Sequence, residues 1–191
     1  MELCDNSRDF LYLSLIQLTM NYSNPNSIGY YDELPLWSAP FGLKLLDAVI
    51  YIKNITALDI GFGTGFPLIE LAMRLGDSSC VYGIDPSPEC HALVNNKINH
   101  HGLSNVRLIQ GVAELIPLAE ESVDLIVSNN GINNVNDMDA VFGECYRILK
   151  DHGRLIMTMN TETSMFEFYS AMKRIFEELE LNGQVEVMKK H

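Results

Sequence analysis

The 191 residues are 47% apolar and 20% charged, enough apolar surface to bury a core and too little charge for a disordered chain. Lys and Arg number 13 against 25 Asp and Glu, a net charge of −12 with a pI near 4.7. Nucleic-acid binding and polybasic membrane anchoring both need clustered cations, so this balance argues against each. No apolar run approaches the roughly 20 residues that cross a bilayer, and the opening MELCDNSRDF does not read as a secretory signal. Cys4, Cys80, Cys90 and Cys145 form no C-x-x-C pair, so neither a zinc knuckle nor a disulfide framework is indicated. The expectation is a cytoplasmic protein with one core, without a metal, a membrane or a nucleic acid as partner.

In chain order, DFLYLSLIQLTM reads as a buried helix over 8–21, and NYSNPNSIGYYDELP as a loop. A second helix is expected over 41–52, with Leu45, Leu46, Val49 and Ile50 on one face. Residues 1–53 thus form a helical arm and lid before the main fold, which is assigned to 54–181, with a tail over 182–191. The main fold alternates. TALDI (56–60), CVYGI (80–84), VRLIQ (106–110), VDLIVS (123–128) and GRLIMTMN (153–160) read as strands, each followed by a helix or a long crossover. Ser87 followed by Pro88 is an N-cap and N1 pair, and Gly102 a natural helix terminator. Asp137 or Asp139 can cap a helix carrying Val141, Cys145 and Ile148, and a long helix is expected over 163–181. Five strands alternating with crossovers predict an α/β, doubly wound, mainly parallel sheet.

The chemistry concentrates where the first strand ends. After Asp59 come Gly61, Gly63 and Gly65, then Pro67. Ligands of open α/β sheets sit outside the carboxyl ends of the strands, and glycines there allow close approach to backbone N–H groups. The dinucleotide fingerprint G-x-G-x-x-G fails because Phe66 stands where its third glycine belongs, and no Lys completes a P-loop. Asp59 beside the loop would repel a pyrophosphate and attract an ammonium. Asp85, ending the second strand, can accept hydrogen bonds from a ribose diol; it could equally serve as a carboxylate at a helix N-terminus.

DIGFGTG, GIDPSPE, QGVAELIPLAEESVDLIVSNNGINN and ECYRILKDHGRLIM together resemble the successive motifs of class I S-adenosylmethionine-dependent methyltransferases. The similarity is to the small-molecule branch that includes the ubiquinone and menaquinone biosynthesis enzymes, and covers about residues 30–160. It implies a Rossmann-like fold, S-adenosyl-L-methionine as cofactor and a small-molecule acceptor. It also implies that Asp59, Gly61, Gly63 and Gly65 hold the methionine end and Asp85 the ribose. Pro86 and Ser87 would lie beside the adenine, bordered by Val112, Ala113 and Glu114 with the Ala113 amide in contact. Asn129 would lie near the methionine ammonium. Tyr30, Tyr31 and Trp37 are lid candidates, or plain packing of the arm.

The resemblance has gaps. The [DNS]-P-P-[YF] signature of N-methylation is replaced by Ser128-Asn129-Asn130-Gly131. The family's C-terminal strand hairpin has no counterpart in NGQVEVMKKH, which reads as a truncation point in a longer protein or as a bare sheet edge. A bare edge along 153–160 invites a homodimer. No general base stands out: His91, His100, His101, His152 and His191 read as surface residues, and Glu120–Glu121 as a solvated pair. The alternatives are a non-catalytic cofactor-binding fragment, or a nicotinamide-dependent oxidoreductase, which would show the G-x-G-x-x-G fingerprint that fails here.

Overall fold

The computed structural model describes Asp32, residues 38–161, Ser164, residues 166–179, Leu181 and Gly183. The expected arm helix over 8–21 lies outside the described residues, as do Tyr30, Tyr31 and Trp37. In chain order the elements are α1 (Ala39–Ala48), β1 (Thr56–Ile60), α2 (Leu68–Leu75), β2 (Cys80–Asp85), α3 (Pro88–His101), β3 (Val106–Gln110) and β4 (Val123–Asn129). A 3-10 turn (Ile132–Asn134), α4 (Met138–Ile148), β5 (Leu149–Thr158) and α5 (Phe166–Glu178) follow. The strands form one parallel sheet in the order β3-β2-β1-β4-β5. The chain therefore steps outward from β1 to β3, then jumps back to place β4 on the other side of β1.

Alternating side chains supply two cores. Ala57, Val81, Leu125 and Val127 face Leu45 and Leu46 of α1, Leu71 and Leu75 of α2, and Val94 of α3. Leu58, Ile60, Ile84 and Ile126 face Ile116, Ile132, and Val141, Cys145 and Ile148 of α4. Two-sided burial is why β1 and β4 read as unbroken apolar runs.

The helix signals hold at three ends. The Ser87 side chain accepts from the Cys90 N–H at 3.1 Å, Gly102 closes α3 with φ +64°, and Asp137 caps α4 through the Ala140 N–H at 2.9 Å. Elsewhere the boundaries move. The expected 41–52 helix ends at Ala48, the chain becomes extended at Val49, and Ile50 turns out to solvent at 57% exposure. The fifth strand starts at Leu149, not 153. Its register against β4 shifts between Val123 and Leu125, and His152, at φ +65°, lies in the irregular stretch. The last helix occupies Phe166–Glu178 rather than 163–181 and buries none of its residues.

The core makes a quantitative prediction. Leu71 is fully buried between α2 and the sheet, whereas Met73 on the same helix is 43% exposed. Leu71→Ala is expected to cost about 2–5 kcal/mol in urea unfolding. Met73→Ala should change stability by less than about 0.5 kcal/mol. Equal costs for the two would mean that α2 is not seated as described.

Candidate functional site

The site begins where β1 runs out. Each glycine of the loop is required for its own reason. Gly61, at φ +73°, donates its N–H to the Ile84 carbonyl at 2.8 Å, and a Cβ there would stand 2.7 Å from the Gly131 Cα. Gly63, at φ +51°, would carry a Cβ with no atom within 4 Å, so its α-carbon opens onto free space. Gly65, at φ +104°, packs inward, where a Cβ would meet Val94 Cγ2 at 3.1 Å.

Asp85 is the hinge pin of this loop. One carboxylate oxygen accepts the Gly63 N–H at 2.9 Å and the other the Ser87 N–H at 2.9 Å. The sequence left Asp85 as a ligand acceptor or a helix-terminal carboxylate. It does serve the start of α3, and it also holds the glycine loop while lining the cavity in front of it.

That cavity, about 390 Å³, is lined by Gly61, Gly63, Asp85, Pro86, Ser87, Ala113, Glu114 and Asn129 among the sequence-predicted residues. Cys90, Gly111, Asn130, Gly131, Asn134 and Asn136 complete much of its wall and escaped the sequence reading. A second cavity of about 350 Å³, shared at Gly61, Gly63 and Asn129, adds Asp32, Ser38, Leu43, Phe62, Thr64 and Phe66. Asn129 stands between the two. Its side-chain N–H donates to the Ser38 carbonyl at 3.2 Å, and its oxygen accepts from the Thr158 hydroxyl at 2.8 Å. Glu114 accepts the N–H groups of Asn136 at 2.8 Å and Asp137 at 3.3 Å. Desolvation pushes its carboxyl up, but these amides and its own outweigh that and hold it below the usual carboxylate range.

Two predicted site residues, Asp59 and Gly65, line neither cavity. Asp59 is fully buried, and among the described residues neither of its carboxyl oxygens has a hydrogen-bond partner. Burial, reinforced by the charge of Asp85 and only partly offset by the nearby Leu68 N–H, raises its pKa to about 8. Near neutral pH Asp59 is therefore mainly an uncharged acid beneath the loop. Tyr30 and Trp37 lie outside the described residues.

One reading is corrected outright. His91 is not a remote surface histidine: its Nε2 lies 3.0 Å from the Asp85 carbonyl and 3.1 Å from the Ile109 carbonyl, at the carboxyl ends of β2 and β3. The sequence hides this because the first turn of α3 folds back over the strand it follows. Among the described residues no group of three or more His, Cys, Asp or Glu side chains could hold a metal ion, and no helix is long and apolar enough to cross a membrane.

The Asp59 geometry fixes a pH response. The folded chain keeps its proton up to about pH 8, whereas a free aspartate side chain loses it near 3.8. Its stabilising effect is complete below the lower value and is lost as pH rises through the upper one, with a limiting slope of about 1.4 kcal/mol per pH unit. Asp59→Asn, neutral throughout, should therefore gain stability relative to the parent chain between pH 5 and pH 8 in parallel urea titrations. An unchanged difference at the two pH values would rule this out.

The comparisons with known proteins come from both sequence and fold. Residues 58–157, from within β1 to within β5, match the family model described as a methyltransferase domain. A demethylmenaquinone methyltransferase of Bacillus velezensis is 28% identical over 155 residues, covering 79% of this chain and 63% of that protein. One from a Geobacillus species is 33% identical over 116 residues, covering 61% and 50%. The arsenite methyltransferase of Halobacterium salinarum is 31% identical over 111 residues, covering 58% and 28%. This chain thus spans less than two thirds of the length of each of these relatives. A SAM-dependent methyltransferase from Aquifex aeolicus superposes with a TM-score of 0.61 at 28% identity, covering 70% of this chain and 71% of that one. A structure from Methanococcus maripaludis, at 21% identity and a TM-score of 0.62, covers 87% and 83% and shares the fold. With the family model matched across the core of the sheet, the chain belongs to the methyltransferase-domain family and carries the class I S-adenosylmethionine-dependent methyltransferase fold.

Proposed function

We propose that this chain binds S-adenosyl-L-methionine in the larger cavity and transfers its methyl group to a small-molecule acceptor entering through the smaller one. The observation that carries the reading is the pairing of an open glycine with a fixed carboxylate. Gly63 presents an α-carbon with free space above it, and Asp85 lines the same cavity with its carboxylate held by two backbone amides. A Cβ at position 63 would fill the cradle, so the residues present suit a ligand that lies against the loop.

In this reading Asp85 receives the ribose hydroxyls on lone pairs its backbone partners leave over, and Pro86 and Ser87 flank the adenine. Ala113 offers its amide to the ring, with Glu114 at the rim, and Asn129 faces the methionine end. Gly61 and Gly65 shape the loop, and Asp59 supports it from beneath. The cofactor brings a methyl group on a sulfonium that already carries its own leaving group. The chain's part is alignment and exclusion of water. Of the titratable groups lining the two cavities among the described residues, Asp85 and Glu114 are engaged by amides and Asp32 by Lys97. The Cys90 thiol is pushed up by burial. This favours an acceptor that attacks as an enolate-like carbon or a thiolate, which needs no general base.

The acidic charge supports an acceptor other than nucleic acid. The free thiols of Cys80, Cys90 and Cys145 support a reducing, cytoplasmic setting. Residues 54–181 serve as the cofactor-binding unit. Among the described residues β5 ends the sheet, and a second copy of the chain pairing along 153–160 is the dimer this edge would support.

Calorimetric titration tests the reading. S-adenosylhomocysteine should bind and NAD should not. Gly63→Ala should stay folded, losing about 1–2 kcal/mol to the left-handed backbone. It should bind S-adenosylhomocysteine at least about tenfold more weakly, a loss of about 1.4 kcal/mol. Binding of NAD in preference, or undiminished affinity in Gly63→Ala, would overturn the assignment.

A further inference from the structure

His91 occupies the fourth position of α3, with its backbone N–H bonded to the Ser87 carbonyl at 3.2 Å and its ring turned back toward the helix start. The ring Nε2 sits between two backbone carbonyls, 3.0 Å from Asp85 and 3.1 Å from Ile109. A carbonyl oxygen only accepts, so Nε2 must carry a hydrogen and is shared as a donor between the two strands. The same ring stands edge-on to Phe62 of the glycine loop, centroids 4.9 Å apart at 65°.

The position matters because the β2–β3 ladder stops at the pair Asp85↔Gln110. Beyond it the Gly111 N–H reaches back to the Asp85 carbonyl, at 3.2 Å. Past this point both strand ends line the larger cavity, β2 through Asp85 and the chain after β3 through Gly111 to Glu114. His91 lines neither cavity. It spans the tips from behind and presses on the loop whose Gly63 N–H the Asp85 carboxylate receives.

We propose that His91 is a positioning residue for the adenosyl half of the ligand: its Nε2–H sets the spacing of the β2 and β3 tips and the aim of the Asp85 carboxylate. The role rests on the reading that the cavity receives S-adenosylmethionine. It assigns to a histidine outside the cavity an effect on affinity that is confined to the ribose and adenine.

Two variants separate this from simple bracing of the fold. His91→Leu keeps bulk and removes the donor, and His91→Gln keeps an N–H donor at similar reach. Calorimetry with S-adenosylhomocysteine and with adenosine should show His91→Leu weakening both by the same factor, about tenfold. His91→Gln should lie within about threefold of the parent chain for both. Unaltered affinity in His91→Leu, equal losses in both variants, or a loss seen with S-adenosylhomocysteine but not adenosine would each overturn the proposal. If His91→Leu does not fold, the glutamine variant and the ring's nitrogen-15 NMR signature in the parent chain decide. The Nε2–H tautomer with signals that shift on adding adenosine is expected; the Nδ1–H tautomer overturns the assignment. Failure of the parent chain to bind S-adenosylhomocysteine would instead overturn the reading of the cavity itself.

Discussion

The carboxylate of Asp85, held between the N–H groups of Gly63 and Ser87, is the contact on which the rest of the site depends. It joins the loop after β1 to the β2–α3 junction 22 residues further along the chain. Hydrogen bonds to a charged acceptor are among the stronger ones, so the loop is held where an uncapped glycine run would be mobile. The packing beneath agrees with this placement. Phe62 is buried under the loop, and β2 admits it only because residue 83 is glycine, whose Cβ would stand 2.8 Å from the Phe62 ring.

The junction of β1 and β4 beside it depends on close backbone approach rather than charge. The chain reverses strand order between β1 and β4, and at their carboxyl ends Gly61 lies directly against Gly131. A Cβ on Gly131 would fall 2.2 Å from the Ile60 carbonyl. The Ser128 hydroxyl locks the crossing by donating to that carbonyl at 2.8 Å and accepting the Ile132 N–H at 3.2 Å. The crevice at the reversal of strand order is the general ligand position of open α/β sheets, and both cavities reach Gly61 there.

Burial sorts the acids of the site by charge. Asp59 and Asp85 end adjacent strands, yet one loses its charge to desolvation while the other, with backbone donors on both oxygens, lines the cavity. An acid inferred from sequence to attract a cation is thereby removed from direct contact with the cavity. The acids that do line the larger cavity are Asp85 and Glu114.

The sheet was legible because its strands are covered on both faces and its helices carry chemical end marks. VDLIVS reads as a strand covered on both faces, Ser87-Pro88 and Gly102 mark helix ends through side chain or backbone freedom, and of Asp137 and Asp139 it is Asp137 that caps. Gly61, Gly63 and Asp85 could be singled out because glycine spacing and a strand-terminal acid are local patterns, whereas Ala113 was marked only by the family resemblance. What the sequence could not reveal depends on contacts between distant segments. Whether Gly63 faces space while Gly65 faces Val94, whether Asp59 is reached by solvent, and whether Ile50 belongs to the core were all decided by packing. The same is true of His91, which looks like a helix-surface residue until α3 folds back and brings its ring against two carbonyls from different strands. Sequence determined which residues can make turns, caps and strands, since those are properties of one residue and its neighbours. Only the tertiary structure decided which of them meet, because burial and hydrogen-bond partners are set by the elements brought against them.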